Sequence, residues 1–163
     1  MREAARKILS RDVLQRKLAE HKRAGQRIVF ANGCFDVLHV GHIRYLKGAR
    51  REGHILVVGV NADSSVGALK GPGRPVLDEN ARALLVAALR PVDYVVLFSE
   101  ATVEKLLEEF LPDVHAKGTD YTAETVPERA TAARLGIRFA MVGDPKNHST
   151  RSLFDSIRKA AHD

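Results

Sequence analysis

The stretch Arg27-Ile-Val-Phe-Ala-Asn-Gly-Cys-Phe-Asp-Val-Leu-His-Val-Gly-His42 limits what this chain can become. Ile28 to Ala31 is a short apolar run, the pattern of a buried strand. Asn32-Gly33 interrupts it. His39 and His42 follow with Gly41 between them, and from Ile43 onward Leu46 and Ala49 continue a face at helical spacing. The order strand, glycine turn, helix start puts unpaired backbone N–H groups and the positive end of a helix dipole at one point, which suits a phosphate. Two histidines three apart share one face of the first turn. Gly41 has no side chain, so a bulky anion can approach the backbone closely.

Gly33-Cys-Phe-Asp36 followed by His39-x-Gly-His42 resembles the signature of the cytidylyltransferase-like nucleotidyltransferases. Those enzymes move a nucleotidyl group from a nucleoside triphosphate to a phosphate or similar acceptor. A bare H-x-G-H carries little weight against two surface histidines that merely cap a helix. Its place after a strand and at a helix start, with G-C-F-D before it, makes it specific. The resemblance runs from about Ile8 to Ile157.

A length of 163 residues suggests one nucleotidyltransferase domain over 1–163 and allows a substantial core without staples. The 45% hydrophobic and 28% charged content fits a soluble globule. A single cysteine, Cys34, excludes an internal disulfide framework and fits a reducing cytosol, so a cytoplasmic enzyme is expected. No apolar run reaches membrane-spanning length, and the charged N-terminus lacks the apolar core of a signal peptide. No membrane partner is expected. A net charge of +6 and a pI near 9.7 admit nucleic acid, phosphorylated substrates or simply a basic surface. The site chemistry favours small phosphates, and no nucleic-acid partner is expected.

Residues 1 to 26 read as a helix before the first strand, with Ser10 as N-cap, Val13, Leu14 and Leu18 as the apolar stripe and Gly25 as stop signal. After the first strand and helix the pattern repeats. His54–Val60 is a second strand ending at Asn61-Ala-Asp63, and Ala81–Arg90 is a helix. Val92–Phe98 is a third strand, and Thr102–Phe110 a helix with Thr102 as N-cap. Asp113–Lys117 is a fourth strand, and Thr125–Leu135 a helix with Pro127 in its first turn. Ile137–Val142 is a fifth strand, and Ser149–Ala161 a closing helix. Such alternation implies an α/β fold, a Rossmann-like, doubly wound, five-stranded parallel sheet with helices on both faces. Ligands bind such sheets beyond the carboxyl ends of the strands, where the strand order switches.

The run Gly67-Ala-Leu-Lys-Gly-Pro-Gly-Arg-Pro75 reads as a long loop of the kind that serves as a lid, and its lysine and arginine suit triphosphate oxygens. Lys70 stands where the resembling family has a phosphate-contacting lysine, within a K-G-P-x-R-P run of its heptose-phosphate branch. The resemblance also turns Arg82 toward the site, and Arg90 with it, although helix ends attract arginine anyway. Pro112-Asp-Val-His-Ala-Lys-Gly-Thr-Asp-Tyr121 is similar to the P-D-V-x-x-K-G-x-D-Y run of the D-glycero-β-D-manno-heptose 1-phosphate adenylyltransferases. It implies nucleotide contacts at Lys117, Gly118 and Asp120. His115 occupies an apolar position of that run and reads as a partly buried strand residue. His148-Ser149-Thr150-Arg151 resembles the family's S-T-T motif, so Ser149 and Thr150 would offer hydroxyl and N–H groups to phosphates. Arg151 in place of the second threonine is a departure.

The resemblance and the residues together give a chemistry. A sugar phosphate is already an anionic nucleophile and needs no general base. Catalysis is positioning plus stabilisation of charge that develops at the α-phosphate and the leaving pyrophosphate. His39, His42, Lys70 and Arg82 are the expected catalytic residues. Asn32, Gly33, Cys34, Phe35 and Gly41 join the nucleotide-binding set. Asp36, Asn61, Asp63 and Arg90 are the candidates for the acceptor, and Asp36 equally for magnesium. Cys34 reads as a packed small residue rather than a nucleophile. Mg²⁺ is expected to bridge triphosphate oxygens, and its protein ligands are left open. The substrates expected are ATP and a heptose 1-phosphate. The alternative is a CTP-dependent enzyme acting on glycerol 3-phosphate or a related alcohol phosphate, and a third reading is a nucleotide- or RNA-binding module without turnover. A homodimer is expected, as among relatives, with the heptose kinase step on a separate polypeptide.

Overall fold

The computed structural model describes residues 2–122, 125–143 and 150–160. Its centre is a five-stranded sheet of β1 (Ile28–Gly33), β2 (Ile55–Asn61), β3 (Tyr94–Phe98), β4 (Val114–Gly118) and β5 (Arg138–Val142). Every pairing is parallel, in the spatial order β3-β2-β1-β4-β5. The helices are α1 (Arg2–Ala5), α2 (Arg11–Arg23), α3 (Val40–Arg51), α4 (Asp63–Lys70), α5 (Glu79–Ala87), α6 (Glu104–Phe110), α7 (Arg129–Leu135) and α8 (Thr150–Ala160).

The strands read as continuous apolar runs because both faces of the sheet are covered. Within β2, Leu56, Val58 and Val60 belong to one core while Ile55 and Val57 belong to the other. The first core receives Leu46 and Ala49 from α3 and Ala83, Val86 and Ala87 from α5. The second receives Leu14 and Leu18 from α2, Leu106, Leu107 and Phe110 from α6 and Ala132 from α7. The doubly wound architecture with helices on both faces is therefore the one observed. Two carboxylates anchor the strand starts: Asp113 accepts from the Ile28 N–H and Asp93 from the Leu56 N–H, each at 2.7 Å.

β1 lies between β2 and β4, so the connections leaving the carboxyl ends of β1 and β4 diverge to opposite sides. That divergence opens a crevice at the switch point.

Several local expectations are corrected. The N-terminal segment is two helices, because residues 7–9 run along the edge of β3. The Val95 N–H donates to the Lys7 carbonyl and the Leu9 N–H to the Val95 carbonyl, at 2.8 and 2.9 Å. Asp63–Lys70 is helical, so Lys70 ends a helix instead of riding in the loop. Thr102 does not cap α6; Val103 holds that position, and the Thr102 hydroxyl donates to Glu104. The helix expected from Thr125 begins at Arg129, because Thr125 is folded into a side-chain-bonded turn with Thr122.

Candidate functional site

The β1–α3 connection sets the centre of the crevice. Phe35 turns the chain with a left-handed φ of 48°, an uncommon state for a bulky residue. The turn folds the Phe35 ring back over Gly33, where an added Cβ would lie 3.1 Å from the ring. Phe35 is buried there, with its ring centroid 5.2 Å from that of His42. His39 is the N-cap of α3 and His42 its third residue, and the two form a reciprocal capping box. The His39 N–H donates to His42 Nδ1 at 3.4 Å, which leaves the proton of a neutral His42 on Nε2. The rings stack with centroids 3.8 Å apart. Burial, and secondarily the neighbouring His39, hold the His42 imidazole down to about 4. At neutral pH His42 is thus a neutral N–H donor.

Below the turn lies a buried polar chain. Asn32 Oδ1 accepts from His115 Nε2 at 3.2 Å and from Lys117 Nζ at 3.4 Å. Lys117 Nζ lies 3.0 Å from Glu128 Oε2, with both side chains nearly inaccessible. Burial pulls the Lys117 ammonium below its ordinary value, and Glu128 pulls it back. His115 is completely buried, and burial holds it well below the ordinary imidazole range. The Tyr45 hydroxyl donates to the Ala116 carbonyl at 2.9 Å and accepts from the Asn32 N–H at 3.4 Å. α3 thereby ties the ends of β1 and β4 together.

The rim is built differently. Asp36 Oδ1 accepts from the backbone N–H groups of Val76 and Leu77 at 2.7 and 3.2 Å. Its Oδ2 pairs with Arg74 at 2.6 Å. Arg74 in turn lies over the Phe154 ring of α8, 4.6 Å from its centroid. Floor and rim enclose a cleft of about 1250 Å³.

The residue pattern over 30–156 matches the model of the family described as cytidylyltransferase-like. The chain belongs to the cytidylyltransferase-like family. It is 44% identical over 151 residues to a bifunctional protein HldE from Syntrophotalea carbinolica, and 45% identical over 157 residues to one from Methylobacillus flagellatus. Those matches cover 93% and 96% of this chain but 31% and 32% of the relatives, so the chain spans about a third of the length of these curated relatives. A solved lipopolysaccharide core biosynthesis protein from Thermoplasma volcanium superposes with a TM-score of 0.63 at 31% identity, over 75% of this chain and all of that one.

Within this cytidylyltransferase-like fold, the cleft is lined by Asn32, Gly33, Cys34, Phe35, Asp36, His39, Gly41, His42, Asn61, Lys70, Lys117, Gly118 and Asp120, all singled out from the sequence. Asn61 is buried and donates to the Ser65 hydroxyl at 3.2 Å. Burial raises the Cys34 thiol, which keeps it protonated and unsuited to attack. Thr150 opens α8, and Ser149 lies outside the described residues.

Among the expected site residues whose side chains are described, Arg82, Arg90 and Asp63 do not line the cleft. Arg82 is fully buried and donates to the carbonyls of Leu77 and Cys34 and to Asp63, at 2.9, 2.6 and 2.7 Å. It braces the back of the β1–α3 turn, and Asp63 is its counterion. Arg90 follows α5 just before β3, at the amino end of the sheet, because a crossover helix runs back along the strands. The sequence reading missed Glu128 and Tyr45. Glu128 carries no local signal, whereas Tyr45, three residues after His42, is marked by its helical spacing.

Among the described residues no group of three or more His, Cys, Asp or Glu side chains is placed to hold a metal. Both Asp36 oxygens are already engaged by Arg74 and the loop backbone. A protein-built magnesium site does not fit these residues, while Asp36 lines the cleft with both oxygens engaged.

Proposed function

We propose that residues 1–163 form one cytoplasmic nucleotidyltransferase domain that moves AMP from ATP to a heptose 1-phosphate, giving an ADP-heptose and pyrophosphate. The observation that carries the reading is the meeting of two motifs at one switch point. The His39–His42 cap at the end of β1 faces the same cleft as Lys117, Gly118 and Asp120 at the end of β4, within the run that resembles heptose 1-phosphate adenylyltransferases. The Thermoplasma volcanium protein's description as a lipopolysaccharide core biosynthesis protein supports the same substrate class.

An oxygen of the acceptor phosphate attacks the α-phosphorus of ATP. The bond from that phosphorus to the bridging oxygen of the β-phosphate breaks, and pyrophosphate leaves with the electron pair. No proton has to be removed from the nucleophile. The start of α3 offers backbone N–H groups, and His42 Nε2–H offers a neutral donor, to the nonbridging oxygens where charge grows. Lys70 supplies positive charge to the departing phosphates. Arg82 acts indirectly by fixing the Cys34 carbonyl and so the shape of the turn. Magnesium would arrive with the nucleotide, held by triphosphate oxygens and water. A homodimer remains part of this reading.

The test is pyrophosphate release across a matrix of nucleoside triphosphates and sugar phosphates. With heptose 1-phosphate, ATP is expected to give a higher kcat/KM than CTP. A clear preference for CTP with glycerol 3-phosphate would replace the adenylyl assignment by a cytidylyl one on the same fold.

A further inference from the structure

α8 contributes a wall of the cleft. Phe154 and Arg158 both line it, and residues four apart share one helix face. That face is held in register with the β1–α3 turn by a relay of contacts. Asp36 is fixed by the Val76 and Leu77 N–H groups, Arg74 pairs with Asp36, and Phe154 packs under Arg74. The relay ends one turn before Arg158, so whatever sets Phe154 also sets Arg158. The charges of Arg74 and Lys117 are matched by Asp36 and Glu128. The cleft nevertheless has to bring together two phosphate-bearing substrates, whose mutual repulsion calls for further cations. A guanidinium is shaped for this, because its planar fork meets two phosphate oxygens at once.

We infer that Arg158 binds a phosphate of the substrates, and that Phe154, through Arg74, is the positioning residue that brings it there. The inference rests on the phosphate-transfer reading above and extends its site to the last helix. The shared chemistry is a phosphate group, carried either by the triphosphate or by the acceptor.

Calorimetric titration of the full chain with ATP and, separately, with heptose 1-phosphate tests it. Arg158→Ala is expected to weaken one of the two ligands about tenfold, the scale of one charge-assisted contact. Arg158→Lys should recover part of that loss. Phe154→Ala should weaken the same ligand less, and the double variant should lose less than the two singles combined, because one acts through the other. Lys159→Ala removes the same charge from a neighbour that does not line the cleft, and binding should be unchanged. A loss confined to ATP assigns Arg158 to the donor triphosphate, and a loss confined to heptose 1-phosphate assigns it to the acceptor. If the wild type ignores heptose 1-phosphate, the acceptor reading fails while the ATP titration still judges Arg158. Unchanged binding in Arg158→Ala, or an equal loss in Lys159→Ala, overturns the inference.

Discussion

The floor of the cleft is held by backbone pairing and by polar groups largely withdrawn from water, whereas its rim is held by side chains that reach across an open space. The buried His115, Lys117 and Glu128 connect through half-buried Asn32 into one chain on adjacent parallel strands and the start of α7. Asp36, Arg74 and Phe154 connect three segments that share no strand pairing. A buried pair has no water to fall back on when one partner is lost. A rim pair does, since Arg74 keeps a fifth of its side chain exposed. Stability is therefore concentrated in the floor, and adjustability in the rim.

The sharpest way to break this contrast is to remove one carboxylate from each region. Glu128→Gln leaves a buried ammonium uncompensated and should cost about 3–5 kcal/mol of stability. For a chain of this size that is a fall in Tm of roughly 6–20 °C. Asp36→Asn should cost only about 1–2 kcal/mol, because the loop N–H groups keep an acceptor and Arg74 can turn to water. Thermal unfolding of the two variants checks this. Equal losses would mean that the rim is as rigidly committed as the floor.

The histidines come next, since they join floor to substrate. His39→Ala and His42→Ala should each lower kcat about 100-fold or more, near 3 kcal/mol in the barrier, because their contact strengthens as charge develops. Both act on one phosphate, so the double variant should cost less than the sum. Circular dichroism should show folded proteins. Folded single variants with near-wild-type turnover would remove the pair from the mechanism and leave a binding module.

Lys70 tests the rim in isolation. It is exposed at the last position of α4 and lines the cleft. Lys70→Met should reduce kcat/KM roughly 100-fold, about 2–3 kcal/mol, with almost no change in Tm. A fall in Tm comparable to that of Glu128→Gln would show Lys70 to be a structural tie instead.

The same contrast explains what the sequence disclosed. The strands, the doubly wound layering and the β1–α3 turn were legible, because apolar runs, the Asn32-Gly33 break and the His39–His42 spacing are local patterns. Thirteen of the expected site residues line the cleft because they follow strand ends, which the fold class alone locates. Glu128 was invisible because its role depends on how the loop between β4 and α7 folds it back onto Lys117. Arg82 misled for the converse reason: resemblance fixes a position in the chain, but its three bonds to Leu77, Cys34 and Asp63 decide where the guanidinium points. α4 was read partly as loop because Ser64, Ser65 and Gly67 are weak helix formers that tertiary packing overrides.

The smallest effect concerns protons at the junction of floor and rim. His42 titrates near its ordinary 6.5 in the unfolded chain and at about 4 when folded. Between these values the unfolded chain binds the extra proton, so stability should fall as pH drops from 6.5 toward 4. At pH 5 the loss from this residue alone is about 2 kcal/mol. His115, held low in the same sense by burial, adds to the slope. His42→Gln should therefore flatten the dependence of Tm on pH across this window without abolishing it. Bound ATP acts oppositely on the folded protein, because its phosphates favour an imidazolium at the helix start. ATP binding should consequently take up a fraction of a proton at pH 5.5, seen as a buffer-dependent calorimetric heat, and the uptake should be smaller in His42→Gln. Equal uptake by both proteins would mean that His42 meets the phosphate as a neutral donor throughout.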